Sequence, residues 1–219
     1  IVPWQMLAER TGANIKAVAI TDKGELDLDD AAAKLTKNTA LFAFTHVSNG
    51  LGTINPAKLL IKMAQDVGAL TLVDGAQAIL HLPVDVRDLG CDFYVFSGHK
   101  LYAPTGIGVL YGREALLEAL PPWQGGGEMI EHVTLTASTY QSVPYKFEAG
   151  TPNIAGAIGL GAAITYLKQQ PIAELVAAED ALVSRALSGL QQIEGFRLIG
   201  EPAKRSALIS FLIEGSHPN

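Results

Sequence analysis

Cysteine is almost absent: Cys91 stands alone among 219 residues. A single thiol excludes an internal disulfide and a cysteine-rich zinc site, and it fits a reducing compartment, for which the cytosol is the default expectation. Basic charge is also scarce. Lys and Arg number 16 against 22 Asp and Glu, for a net charge of -6. No basic run exceeds a pair, so the cationic face that a nucleic-acid backbone demands is missing. No apolar run approaches the length of a bilayer span, and Ile1 to Glu9 carries no basic stretch leading into an apolar one, so neither a membrane partner nor a leader peptide is read here. His81, His132 and His217 show no metal-ligand spacing, and no metal is expected. The chain starts without Met and stops at Ser216-His217-Pro218-Asn219, within what reads as a strand-to-helix connection, so a piece of a longer protein is expected.

What is present is the composition of an ordinary globular chain, 48% hydrophobic and 17% charged, long enough to bury a substantial core. Apolar runs of strand length alternate with helical stretches. Ile15 to Ile20 reads as a strand, followed by a short helix capped at Asp27 and running towards Leu35. Ala40 to His46 reads as a buried strand. Pro56 opens a helix that Gly68 closes, and Leu70 to Asp74 is the next strand. Asp92 to Phe96 and Gly106 to Tyr111 are two more, the second so close behind the first that an antiparallel pairing is open. Gln124 to Ser142 is a long irregular connection, of a kind that usually carries function or an interface. Helical patterns follow from Ile154 and from Ala173 to Ile193, and Ser206 to Ile213 returns to a strand. This alternation implies an α/β fold, a mostly parallel mixed sheet with helices on both faces, whose ligands collect at the carboxyl ends of the strands.

The stretch richest in chemistry is Leu72-Val73-Asp74-Gly75-Ala76-Gln77, followed by Phe96-Ser97-Gly98-His99-Lys100. An acid at the tip of one strand and a lysine just past the tip of a later one could face each other. Chemistry dependent on pyridoxal 5′-phosphate (PLP) needs that pair: the amine binds the cofactor as an imine, and a carboxylate keeps the pyridine nitrogen protonated. On spacing alone, a solvated Asp and Lys in two surface loops read the same.

The segment Ser97-Gly98-His99-Lys100-Leu101-Tyr102-Ala103-Pro104-Thr105-Gly106-Ile107-Gly108 is similar to the lysine signature of class V aminotransferase-fold enzymes. It most resembles the cysteine desulfurases and selenocysteine lyases among them. Thr45 to Asn49 with Gly52-Thr53, Val73 to Gln77, Pro122 to Gly127 and Phe147 to Asn153 resemble the same group in the same order. The resemblance implies the large domain of a fold-type-I PLP enzyme over residues 1–170, lacking its N-terminal part, and the truncated start of a small C-terminal domain over 171–219. It implies Lys100 as imine lysine and proton shuttle and Asp74 as pyridinium partner, with His99 beside the lysine as the third catalytic residue. Gln77 and Asn49 would lie along the ring-oxygen edge, Ser97 and His99 at the phosphate, and Thr151 at the phosphate of a neighbouring subunit in a homodimer. The activity implied is removal of sulfur from L-cysteine, giving alanine and a persulfide passed to an acceptor protein for iron–sulfur cluster assembly. A selenocysteine lyase or another class V lyase or epimerase stands as the alternative, and a non-catalytic PLP-binding scaffold as one of another class. Ala103 departs from the commoner Gly before the Pro, and Gly50 from a larger apolar residue. The family's ring-stacking His, persulfide Cys and substrate-binding Arg match nothing in these residues.

Three features read as structural or as uncommitted. Cys91 precedes a buried strand, where a free thiol behaves as a small hydrophobe. His46, at a strand end near Asn49, is either a satisfied core histidine or a neighbour of the site. Gly125 to Gly127 lacks the Lys-Ser/Thr of a phosphate-binding loop and is not a nucleotide site.

Overall fold

The computed structural model describes residues 1–217. Helix α1, Val2–Thr11, buries none of its residues, and α2, Leu28–Lys34, is capped by Asp27, whose carboxylate accepts the N–H groups of Asp29 and Asp30. Strand β1 is Leu41–Thr45, and helix α3, Ala57–Asp66, follows behind Pro56. The buried residues of α3, Ala57, Leu60, Ile61 and Ala64, recur at the spacing that puts them on one face. Gly68, at φ +80°, then turns the chain into β2, Leu70–Asp74. Two short helices, α4 at Ala78–His81 and α5 at Val86–Leu89, lead to β3, Phe93–Ser97, and a 3-10 turn at Gly98–Leu101. The chain continues through β4, Gly108–Gly112, α6, Glu114–Ala119, and a hairpin of β5, Ile130–Val133, and β6, Ser138–Tyr140. It ends in α7, Ile154–Lys168, α8, Ile172–Leu190, and a second hairpin of β7, Phe196–Ile199, and β8, Ser210–Ile213.

The main sheet has the order β1-β2-β3-β4. β1, β2 and β3 run parallel, so their carboxyl ends share one edge, and β4 closes the sheet antiparallel to β3. Phe42, Phe44, Val73 and Tyr94 project from one face into a core completed by Leu60, Ile61, Ala64 and Cys91. A smaller cluster of Leu101, Ala103, Leu160 and Ala163 packs α7 against the 3-10 turn, with Ile79 and Leu80 of α4 beside it.

Asp92 ties three strands together. Its Oδ2 accepts both the N–H and the hydroxyl of Thr71 at 2.8 and 3.0 Å, Thr71 Oγ1 accepts the Asp92 N–H at 3.0 Å, and Arg113 Nη1 donates to Oδ1 at 3.1 Å. These contacts lock the register that sets the tips of β2 and β3 side by side.

The expected strand over Ile15 to Ile20 does not form; only Ile20 bridges Leu26. Its backbone is satisfied by other means. The Ala19 N–H donates to Asp30 Oδ2 at 2.6 Å, Lys34 Nζ donates to the Ala17 carbonyl at 2.7 Å, and the Ala19 carbonyl accepts the Asp27 N–H at 2.9 Å. The segment is thus pinned to α2 by side chains and needs no ladder. The connection read as irregular from Gln124 to Ser142 contains the β5–β6 hairpin, and the strand expected from Ser206 begins at Ser210, paired with the unanticipated β7. Pro218 and Asn219 of the expected terminal connection lie outside the described residues.

Candidate active site

Three successive loops leave the carboxyl edge of the parallel strands, and six of the seven candidate residues lie on them or on the strand ends they leave. Asn49 follows β1, in a turn where Ser48 Oγ accepts the N–H groups of Gly50 and Leu51, both at 3.2 Å. Asp74 ends β2 and Gln77 stands at the start of α4. Ser97 ends β3, and His99 and Lys100 lie on the 3-10 turn directly beyond it. Parallel pairing in register, Thr45 with Asp74 and Asp74 with Val95, aligns these tips side by side.

Asp74 is held by its backbone. Its carbonyl accepts the His46 N–H at 2.8 Å, the next N–H, of Gly75, donates to the Val95 carbonyl at 2.8 Å, and Oδ1 accepts the Ala76 N–H at 2.9 Å. Oδ2 accepts no hydrogen bond from the described residues. The acid is half-buried, so it keeps one oxygen for an incoming donor.

The lysine turn is equally constrained. The Gly98 N–H donates to the Ile107 carbonyl at 2.8 Å, and a Cβ at Gly98 would stand 2.8 Å from Ile107 Cγ2 and 3.0 Å from its carbonyl oxygen, so a larger residue there requires Ile107 to shift. Tyr102 closes the turn at φ 60°, a conformation uncommon outside glycine, and the Ala103 N–H returns to the Gly98 carbonyl at 3.1 Å. Ala103, where glycine was the commoner expectation, is accommodated in the small apolar cluster. Lys100 is half-buried, and its amine has no hydrogen-bond or ion-pair partner among the described residues. By contrast Lys146 donates to the Glu118 carbonyl at 2.7 Å and Lys62 is paired with Asp66.

Thr151, the seventh residue, is exposed on the segment leading into α7. Asn153 ties that segment to the loop after Lys100: Nδ2 donates to the Gly106 carbonyl at 3.0 Å while Oδ1 caps the helix through the Gly156 N–H at 2.9 Å. Nothing described links the Thr151 side chain to the strand-tip group. An open depression of about 960 Å³ near Glu118, Ile130, Tyr140 and Lys146 contains none of the seven.

His46 is resolved in favour of the core. It is 8% exposed, and its Nδ1 shares a 3.1 Å hydrogen bond with the Tyr94 hydroxyl. Burial pushes its pKa down, which favours the neutral ring. Burial likewise pushes the Cys91 thiol up to about 11. Tyr94 and Gly75 were not singled out in the sequence; the one available signal was a glycine directly after the strand-end acid. His81 Nδ1 lies 2.9 Å from Glu179 Oε2, and no group of His, Cys, Asp and Glu among the described residues could hold a metal ion.

The donor set suits PLP: a half-buried, unpartnered primary amine for its aldehyde, a carboxylate with a free oxygen for its ring nitrogen, and hydroxyl and imidazole groups beside them for its phosphate.

The aminotransferase class-V family model matches residues 1–219. A cysteine desulfurase of Yersinia pseudotuberculosis serotype O:1b is 51% identical over 212 residues, 96% of this chain and 52% of that protein. A cysteine desulfurase of Synechococcus elongatus is 49% identical over 218 residues, 35% of its length. Among solved structures, the cysteine desulfurase CsdA of Escherichia coli, in its S-sulfonic acid form, superposes with a TM-score of 0.94 at 41% identity, covering 99% of this chain and 54% of that one. The apo cysteine desulfurase of Thermococcus onnurineus NA1 gives 0.93 at 41% identity, covering 100% and 55%. The chain spans about half the length of most of these relatives. With the family model matched from end to end and identity near one half to its curated members, the chain belongs to the aminotransferase class-V family.

Proposed function

We propose that the protein carrying this chain is a PLP-dependent cysteine desulfurase. The observation that carries the reading is the placement of Asp74 and Lys100 at the tips of adjacent strands, within a chain about half identical to cysteine desulfurases. Bound there, PLP supplies an electron sink for the carbanion formed at the substrate α-carbon. Lys100 would hold the cofactor covalently and, with its amine free, would move the substrate α-proton. Asp74 holds a proton on the pyridine nitrogen. Gln77 and Asn49 hydrogen-bond the ring-oxygen edge, and Ser97 and His99 donate to the phosphate. A thiolate from beyond these 219 residues attacks the substrate sulfur: the S–S bond forms, the Cβ–S bond breaks, and reprotonation of the carbon leaves alanine and a persulfide for an acceptor protein. Thr151, exposed and unattached to its own strand tips, reaches the phosphate of a second subunit in a homodimer. The carboxyl-edge residues and α7 belong to the large PLP-binding domain, and the small domain begins near Pro171.

The test is sodium borohydride reduction of the intact PLP-loaded protein with peptide mapping, beside an assay of alanine and sulfide from L-cysteine. The pyridoxyl group is expected on Lys100, and Lys100→Ala removes it. Label on Lys62 or Lys146 would overturn the site. Turnover of selenocysteine with none of cysteine would move the assignment to a selenocysteine lyase.

A further inference from the structure

Behind the Asp74 turn lies a buried polar pair that the proposed chemistry does not use. Tyr94 is 1% exposed, among the largest fully buried side chains. Its Cα is in register with Val73, one residue short of Asp74, but its ring reaches further. A Cβ built on Gly75 would stand 2.0, 2.1 and 2.2 Å from Tyr94 Cε1, Cζ and the hydroxyl oxygen. The ring edge therefore lies flush against the Gly75 backbone. The hydroxyl meets His46 Nδ1 at 3.1 Å, with the two rings edge to face at 88°. His46 returns to the acid: its N–H donates to the Asp74 carbonyl at 2.8 Å, and its own carbonyl accepts the Asn55 N–H at 2.9 Å. Asn55 Nδ2 then donates to the carbonyl of Thr45, the register partner of Asp74, at 2.8 Å.

We propose that Tyr94, held in place by His46, is a positioning residue for Asp74, bracing the Asp74-Gly75-Ala76 turn from its buried side and so setting where the carboxylate stands. The proposal rests on the PLP reading above, since it is for the pyridine nitrogen that the placement of Asp74 matters. Packing alone does not call for this pair: phenylalanine fills the same volume without burying a hydroxyl and an imidazole that must find each other. Burial raises the tyrosine pKa and lowers that of the histidine, so the brace stays a neutral hydrogen bond and adds no charge to compete with Asp74. Glycine at 75 follows from the same contact, because any side chain there would push either the ring or the turn.

The experiment is a mutant cycle in the intact protein loaded with PLP: Tyr94→Phe, Tyr94→Leu, Gly75→Ala, and Gly75→Ala with Tyr94→Leu. An ångström-scale displacement of the carboxylate is expected to lower kcat about a hundredfold in Gly75→Ala with little change in KM. The absorption band of the bound cofactor should move with it. In the Tyr94→Leu background the atoms that the new methyl would strike are gone, so the same Gly75→Ala change should cost much less, a coupling that independent sites do not show. Tyr94→Phe keeps the packing and loses only the link to His46. It should move the absorption band and, in cofactor-free protein, speed hydrogen exchange of the Ala76 N–H that Asp74 Oδ1 accepts. A Tyr94→Phe protein that melts lower but keeps the wild-type kcat, band and exchange rate would overturn the proposal, as would additive costs in the cycle. These outcomes need a wild type that takes PLP on Lys100. A wild type that does not would overturn the functional reading first, and this proposal with it.

Discussion

Removing the Asp92 carboxylate should weaken the sheet that aligns the candidate site, and the amount can be worked from its contacts. The side chain is 5% exposed and faces a Thr71 that is 0% exposed. Asp92→Ala strands the Thr71 N–H and leaves its hydroxyl proton without an acceptor. Each such loss costs about 1–3 kcal/mol in a buried setting. Arg113 is 61% exposed, so its guanidinium returns to water and adds at most about 1 kcal/mol. The sum is about 2–7 kcal/mol for alanine. Asp92→Asn is a different case: the amide oxygen can keep both Thr71 bonds while the NH2 turns towards solvent-facing Arg113, so this change should cost only about 1 kcal/mol. Urea unfolding of the cofactor-free protein checks both. With slopes of about 1–3 kcal/mol/M, the alanine midpoint falls by upwards of about 1 M and the asparagine midpoint by a fraction of that. Equal shifts for the two variants, or an alanine variant within about 1 kcal/mol of wild type, would refute the claim that the Thr71 bonds carry the energy.

Two further outcomes are expected. Asp74→Asn should retain PLP on Lys100 yet lower turnover at least about a hundredfold, because a neutral partner does not hold the ring proton; a variant within about tenfold of wild type, about 1.4 kcal/mol of barrier, would contradict this. The Asp30 carboxyl is held below the ordinary carboxylate range by the Ala19 N–H first and by Lys34 second, and Asp85 by the N–H groups of Asp88 and Arg87. Their folded pKa values lie below the unfolded ones. The stabilisation is therefore complete above the ordinary carboxylate range and fades as pH falls through the folded values. Stability compared at pH 7 and pH 3 should fall less steeply for Asp30→Asn than for wild type, and identical slopes would argue against the linkage.

The strands that bear the site were legible because they are buried. The run Leu70 to Asp74 is apolar up to an acid except for Thr71, and Ala40 to His46 is apolar throughout most of its length; in each, every second residue is buried. The same logic failed wherever burial does not drive the structure. Ile15 to Ile20 has strand residues but receives its hydrogen bonds from Asp30 and Lys34, a long-range arrangement that no local pattern announces. The β5–β6 hairpin is exposed along both strands, so it carries no apolar face to read, and α1 buries nothing for the same reason. At the site, the residue types of Asp74 and Lys100 and the motifs around them could be read, but the support beneath them could not. Tyr94 reads as one more aromatic in an apolar strand, and only the fold shows its ring against Gly75.

The last prediction concerns the thiol. The proposed sulfur removal needs a thiolate beside the substrate, and Cys91 is the only cysteine in these 219 residues. Its side chain is 1% exposed, within the core cluster that includes Leu60, Val73 and Tyr94, and it precedes Asp92, whose contacts fix the far end of β3. The candidate residues stand at the opposite, carboxyl end of that strand. Burial raises its pKa to about 11, with the Asp92 charge adding to the effect, so at pH 8 only about one thiol in a thousand is ionised. Position, access and protonation all argue against a nucleophile. Iodoacetamide at pH 8 should therefore label Cys91 only after unfolding, and the chain made alone should yield no persulfide even with PLP attached. In the intact protein, Cys91→Ala should keep sulfide and alanine production near the wild-type level, since alanine fits a core position remote from the candidate site. Rapid labelling of the folded chain, or loss of alanine production in Cys91→Ala with an unchanged melting temperature, would show that Cys91 reaches the substrate and that the attacking thiolate had been sought in the wrong place.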